Sequence, residues 1–484
     1  MSLSQYSIAC LVNQPQFPLA PFDIALIVAF AVAVLVIGFR TARRGHESDE
    51  FLAAGRSLTL PVFVATLVST WYGGILGVGE FSYTHGLSTW TVFGLPYYVF
   101  AVLFAFFLAP RIRRSNVLSI PDRFEDMYGR PAALGGAILT FLLVNPAPYV
   151  LMLGLLSQMF FGGDLLLHLC IGTAVSGMFL LVGGFRSGVM TNVAEFLLMY
   201  LGFAVMVAVA VTTFGGFDFL TENVPPEHLT LTGGQSPQYI LVWFLIALWT
   251  MVDPSFHQRS ASAKDERTAR NGVLVSVFFW FLFDAMTVST GLYARAILPR
   301  IDQAALSYPA LANAILPVGL RGLFYVGLFA TVMSTLTSML MLSGLTAGRD
   351  IGARWAGRND EKLIQRWVRL GLGGAAGLSI VLAWLMPSVV TLWYSFGTCL
   401  IPGLLLPVLG AYVPRLRIQA GGVLAVMISG TFVSTSCLVW GMAFAGPGGP
   451  AYPLGIEPLL PGLGVSACVW LISKVLQQRF ASAR

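Results

Sequence analysis

Gly327-Leu328-Phe329-Ala330-Thr331-Val332-Met333-Ser334-Thr335-Leu336-Thr337-Ser338-Met339 lies inside an apolar run from about Gly322 to Arg349 and carries its hydroxyls in one cluster. On a helix, positions 331, 334 and 335 stand at i, i+3 and i+4. The Thr331 carbonyl and the hydroxyls of Ser334 and Thr335 therefore share one patch of one face. Such a patch of neutral oxygens can hold a bare Na+. The alternative is that the hydroxyls bond back to their own helix carbonyls or join two helices, as most intramembrane hydroxyls do.

The composition sets the environment of that run. Of 484 residues 56% are apolar and 10% charged, which excludes an ordinary soluble domain and marks an all-α integral membrane protein whose first partner is the lipid bilayer. The N-terminus has no basic region before its first long apolar run, so that run reads as an anchor that stays. Four of the five cysteines fall within apolar spans and only Cys10 lies outside one, leaving no disulfide framework and no metal-ligand spacing.

Hydropathy gives about thirteen spans: 22–40, 58–84, 89–110, 132–161, 165–183, 188–213, 238–256, 271–294, 319–347, 367–386, 389–413, 419–443 and 456–476. With the N-terminus outside and the C-terminus cytoplasmic, all but three of the 28 Lys and Arg residues fall on the inner side. The exceptions are Arg295, Arg300 and Arg321. The net charge of +6 is thus a topology signal for a plasma (inner) membrane protein and gives no reason to expect a nucleic-acid partner.

Two spans carry breaks. The second, from Pro61 to Glu80, has Gly73, Gly74, Gly77 and Gly79 in its middle and outer half. The seventh reads Trp249-Thr250-Met251-Val252-Asp253-Pro254-Ser255-Phe256-His257-Gln258-Arg259, with a proline near its end. Interrupted helices five spans apart suggest a two-repeat transporter with its site at the breaks; close helix packing at glycine and an ordinary proline kink are the alternatives.

Several motifs then occur in order. They are Leu52-Ala53-Ala54-Gly55-Arg56-Ser57-Leu58, Leu118-Ser119-Ile120-Pro121-Asp122-Arg123-Phe124, Val182 to Asn192, Gln258-Arg259 through Ala269-Arg270, and the hydroxyl run with Gly348-Arg349-Asp350-Ile351. Together they resemble the sodium/solute symporter family over roughly residues 20–415. The resemblance implies a LeuT-type 5+5 inverted repeat within one transporter domain, residues 1–484. Repeat 1 would span 58–213 and repeat 2 238–413, with one extra N-terminal helix at 22–40 and two C-terminal helices over 419–476.

It also implies Na+ as coupling ion, held by the main-chain carbonyls of Val68 and Trp71, the Thr331 carbonyl and the hydroxyls of Ser334 and Thr335. Many members carry an Asp and then a Gln on the sixth span where this chain has Asn192 and Glu195. These two become coupling candidates, Glu195 for a second ion contact, a proton or a structural partner. Asp253 is read as near the inner surface and solvated, and Asp284 as a helix-packing group.

The fold implied would place a small organic solute among Trp71, Tyr72, Ile75, Asn145, Tyr149, Trp249 and Asp253, which suits a neutral, zwitterionic or cationic molecule; no Lys or Arg is expected at mid-membrane. Three functions follow: sodium-driven solute uptake by alternating access in a monomer, proton-driven uptake through Glu195, or solute sensing without transport. No nucleophile with its base and orienter is apparent, so an enzyme is not expected.

Overall fold

The structure is a computed structural model that describes residues 19–42, 58–357, 361–446 and 449–482. Most of the Leu52 to Leu58 motif, Cys10, Arg43 and Arg44 lie outside the described residues, as do the side chains of 179–191 within a helix.

The helices that position the site are α1 (Pro21–Ala42), α2 (Leu60–Trp71), α3 (Ile75–His85), α4 (Leu95–Phe107), α5 (Arg130–Leu143), α6 (Ala147–Phe161), α7 (Leu165–Phe214), α8 (Pro237–Ile246), α9 (Trp249–Val252), α10 (Pro254–Ser262), α11 (Glu266–Ile297), α12 (Leu320–Leu345), α13 (Glu361–Leu385) and α14 (Val389–Tyr412); α15 (Ala420–Ala443) and α16 (Leu459–Ser482) close the chain. Eleven helical stretches of the described residues are long and apolar enough to cross a membrane, with two shorter ones at Pro21–Ala33 and Leu165–Met178. These segments fall where hydropathy places the thirteen spans.

One boundary differs. The sequence separates spans at 165–183 and 188–213, whereas the backbone is helical throughout α7. At about 1.5 Å per residue its 50 residues amount to about 75 Å of helix, more than twice the hydrocarbon core. Residues 179–191 include Gly183, Gly184 and Gly188 but no proline, so no amide is missing from the ladder there.

Both expected breaks are real. Between α2 and α3, Tyr72–Gly74 form a tight 3-10 turn, with Tyr72 at φ −81°, ψ 7° and Gly74 at φ −78°, ψ 19°. Packing explains the glycines. A Cβ on Gly73 would stand 1.9 Å from Thr335 Oγ1, and one on Gly74 would stand 2.1 Å from the Trp393 ring. Glycine here serves close approach, and the close approach lies at the break itself. In the second case Asp253 leaves the helix (ψ 115°) and caps α10, its carboxylate accepting from the Ser255 amide at 2.7 Å, while Pro254 occupies the first turn where no amide is needed.

Polar ties hold the ends of the spans, and each joins ends that the charge bias assigns to the same side. Arg113 donates to the Ala263 carbonyl at 2.6 Å, Arg123 to Ala411 at 3.1 Å and Lys474 to Arg417 at 2.7 Å. From the short helix Ile120–Tyr128, Asp122 pairs with Arg349 at 2.8 Å and Arg354 at 3.0 Å, and Glu125 with Arg354 at 2.7 Å. At the other ends Asp23, fully buried on α1, pairs with Arg321 at 2.8 Å, and Tyr293 donates to Gly215 at 2.6 Å. Arg259 breaks the pattern: it is fully buried in α10 and not in an inner loop, because the helix restarts at Pro254 and carries it inward.

Burial alone would raise the Asp122 carboxyl, but Arg349 and Arg354 hold it below the ordinary carboxylate range. A lowered folded pKa means the pairing is complete above about pH 4, the unfolded value, and is lost only as pH falls through the folded one. Asp122→Asn should therefore lower the thermal stability of purified protein at pH 7 by on the order of 2 kcal/mol. An unchanged melting temperature would show that these pairs carry no stability.

Candidate functional site

Where α2 ends, α12 lies against it. Thr335 Oγ1 donates to the Thr70 carbonyl at 2.7 Å and stands 3.5 Å from the carbonyls of both Ser69 and Thr331. Four oxygens, three of them main-chain, thus meet at one buried point between two helices. The α2 carbonyls that Thr335 meets are those of Ser69 and Thr70, where Val68 and Trp71 were expected; Val68 is fully buried next to them in the chain, its carbonyl accepting from the Tyr72 amide, and Trp71 closes the turn half-buried. A carbonyl that accepts one hydrogen bond keeps a second lone pair for a cation. The oxygens are neutral and buried, which fits a hard monovalent ion.

The hydroxyls divide by role. Thr331 bonds back to Gly327 at 2.6 Å and Thr337 to Met333 at 2.9 Å, which is the local option. Ser334 instead donates to Asn192 Oδ1 at 2.8 Å and also meets Glu195. Asn192 in turn donates to Thr70 Oγ1 at 3.4 Å, and Arg259 reaches the same hydroxyl at 2.5 Å. Both coupling candidates are therefore drawn into one polar cluster with Ser334, next to the Thr335 contact.

Beside the breaks is a cavity with about 1010 Å³ of empty space, counting what opens to solvent. Trp71, Tyr72, Asn145, Tyr149, Trp249 and Asp253 all line it. Ile75 does not: it is fully buried, and the helical rotation after the break turns Gly74 and Val78 to the cavity in its place. Asp253 is also not solvated, being 6% exposed and spent on its helix cap.

Sequence reasoning missed part of the wall. Asp284, read as a packing group, lines the cavity, its oxygens accepting from Tyr72 at 2.8 Å and from Tyr98. Trp393, Tyr97 and Trp243 line it as well. Gly74 and Gly77 were the available signal for Trp393, since both are small where that ring passes. Arg259 departs from the expectation of no cation within the spans, being fully buried inside the seventh one. It bonds Thr70 and, at 3.3 Å, the Ser255 carbonyl, both on the cavity wall, while its own side chain stays behind that wall.

An all-helical membrane bundle with two broken helices facing a shared cavity defines a secondary transporter of the LeuT-like class. Residues 51–430 match the Sodium:solute symporter family, and the chain belongs to that family. It is 24% identical to the osmoregulated proline transporter OpuE of Bacillus subtilis over 94% of each chain, and 23% identical to the sodium/pantothenate symporter of Escherichia coli over 93% of this chain and 95% of that one. Identity to the sodium/glucose cotransporter 4 of Danio rerio is 26%, over 76% of this chain and 63% of the relative's length. Among solved structures, a Na+-coupled sialic acid symporter in a substrate-bound, outward-open state superposes with a TM-score of 0.74 at 16% identity, covering 94% of this chain and 97% of the other, which bears on the fold.

Ser334→Ala and Thr335→Ala should each raise the sodium concentration for half-maximal uptake roughly fivefold, the equivalent of losing about 1 kcal/mol of ligand contribution, with expression and insertion intact. Wild-type sodium dependence in both variants would place the ion elsewhere. Gly73→Ala, which drives a methyl into Thr335, should abolish the dependence in the same assay.

Proposed function

We infer that this chain is a Na+-coupled symporter that takes up a small organic solute by alternating access. The observation that carries the reading is the Thr335 hydroxyl seated on the carbonyls that α2 leaves at its break, within reach of the Thr331 carbonyl. Sodium held by Val68, Trp71, Thr331, Ser334 and Thr335 would link α2 to α12. Opening the gap between the helices releases the ion, so ion occupancy and bundle position are one equilibrium. The solute would bind in the cavity beside Trp71 and Tyr72, at the same break.

The family relationship supports sodium over protons as the driving ion, and the sodium symporters among the relatives support uptake of small solutes. The chain would act as a monomer in the plasma membrane, N-terminus outside, its two five-helix repeats at 58–213 and 238–413 related by inversion. Asn192 in place of an acid removes the nearest charge from any second cation site, so one sodium should accompany each solute.

Millimolar sodium should raise the melting temperature of the purified protein where potassium and caesium do not, by mass action on the folded state. Equal shifts from all three chlorides would sink the reading. Stoichiometry is set by reversal potentials in proteoliposomes. Wild type should give one sodium per solute, and Asn192→Asp should add a second sodium dependence or trap the ion. A wild-type ratio of two would show that the missing acid does not limit the count.

A further inference from the structure

We propose that the solute is a small organic monocation, with an alkylammonium or quaternary ammonium head group held among aromatic rings and the Asp284 carboxylate. This rests on reading the cavity as the solute site of the symporter and names the substrate class.

The rings come first. Trp71 from α2, Tyr97 from α4, Trp249 from α9 and Trp393 from α14 wall the cavity from four directions in the chain. Their positions are fixed by packing. Trp71 stands edge-on to Tyr97 with centroids 4.6 Å apart and rests 5.2 Å from Trp280. Trp393 lies over the break, where a Cβ on Gly74 would come within 2.1 Å of the ring and one on Gly77 within 2.6 Å. Aromatic faces carry negative charge density and attract cations most strongly where water is excluded.

The charges point the same way. Among the described residues two carboxylates line the cavity and no Lys, Arg or His side chain does. Asp253 is committed, capping α10 through the Ser255 amide with Arg259 close enough to offset its charge. Asp284 is not. It is 7% exposed, and among the described residues the hydroxyls of Tyr72 and Tyr98 bond its carboxylate and no cationic side chain pairs with it. An unpaired carboxylate at this depth is costly until a cation joins it. A cationic head group supplies that partner.

Other solutes fit less well. A sugar needs many hydrogen-bonding groups, yet Asn145 has its oxygen taken by the Ala147 amide at 3.0 Å and the Ser379 hydroxyl at 3.2 Å, which leaves its Nδ2 and the Trp243 Nε1 as the buried side-chain donors without a partner on the wall among the described residues. An anion would meet two carboxylates and a wall of aromatic rings.

Equilibrium binding to the purified full chain separates these. Choline and tetramethylammonium are titrated against 3,3-dimethyl-1-butanol, which has the shape of choline with carbon in place of nitrogen. Glucose and pantothenate serve as neutral and anionic probes, and every titration is run in NaCl and in KCl. Choline should bind about tenfold or more tighter than its carbon isostere. Trp393→Leu and Asp284→Asn should each erase most of that preference; in the second the amide oxygen keeps one tyrosine bond and the NH2 group can donate to the other tyrosine hydroxyl, and a retained sodium-induced melting shift shows that either variant is folded. Equal affinity for choline and the isostere, tighter binding of glucose or pantothenate, or no binding of either ammonium ion overturns the proposal. Sodium-dependent binding of glucose alone would do so while leaving sodium coupling in place. Choline binding that is tight and identical in both salts would support the substrate class and remove sodium coupling.

Discussion

A backbone carbonyl without a partner inside a bilayer is among the costliest groups a protein can hold, because no water is present to satisfy it. The turn at Tyr72–Gly74 interrupts the ladder of α2, and the structure answers with the Thr335 hydroxyl, donated from α12 to the Thr70 carbonyl. That contact requires glycine at 73, where any side chain would meet Thr335. It also requires a hydroxyl on α12 at the face that Thr331 and Ser334 share. Break, glycine and hydroxyl run are one constraint expressed at three places in the sequence.

The same constraint explains why the oxygens that meet at the break are neutral, with Glu195 and Arg259 one contact further out. A carboxylate at the break would bind a cation tightly and release it slowly, since Coulomb attraction grows as the local dielectric falls. Carbonyls and hydroxyls bind weakly and can exchange an ion for a hydrogen bond. Thr335 shows the exchange: its hydroxyl, a candidate ligand, donates to Thr70 at the very point where the ion would sit. The helices can therefore part or close without leaving an orphaned polar group, which a coupled carrier has to do in every cycle.

Much of this was legible in the sequence, and for a physical reason. Spans show because twenty apolar residues have few other uses, and the sides of the membrane show because lysine and arginine avoid crossing it. The spacing of Thr331, Ser334 and Thr335 shows because helical period alone sets their common face. What failed was anything decided by rotation or by a restart of the helix. Ile75 was placed at the cavity and faces the core, one residue after a turn whose angles the sequence does not state. Arg259 was counted among inner-loop charges because Pro254 reads as an end; as the first turn of α10 it is a beginning. Asp284 was seen as an intramembrane acid but not as a wall residue, since its partners Tyr72 and Tyr98 are over 180 residues away in the chain.

Arg259 shows how far the breaks organise the charges around them. A buried guanidinium is tolerated only where fixed dipoles or an anion face it. Here the Ser255 carbonyl, the Thr70 hydroxyl and the nearby Asp253 do so, and each of the three belongs to the residues that flank a break. Asp253 lies close enough to act on the Arg259 charge where it leaves the helix to cap α10, and Thr70 bonds Arg259 one residue before α2 stops. The two interruptions are thereby tied to each other through a single cation behind the cavity wall, while Thr335 ties the first to α12. A shift of either broken helix must be felt at the other and at the hydroxyl run, which is the mechanical connection that coupling an ion to a solute demands.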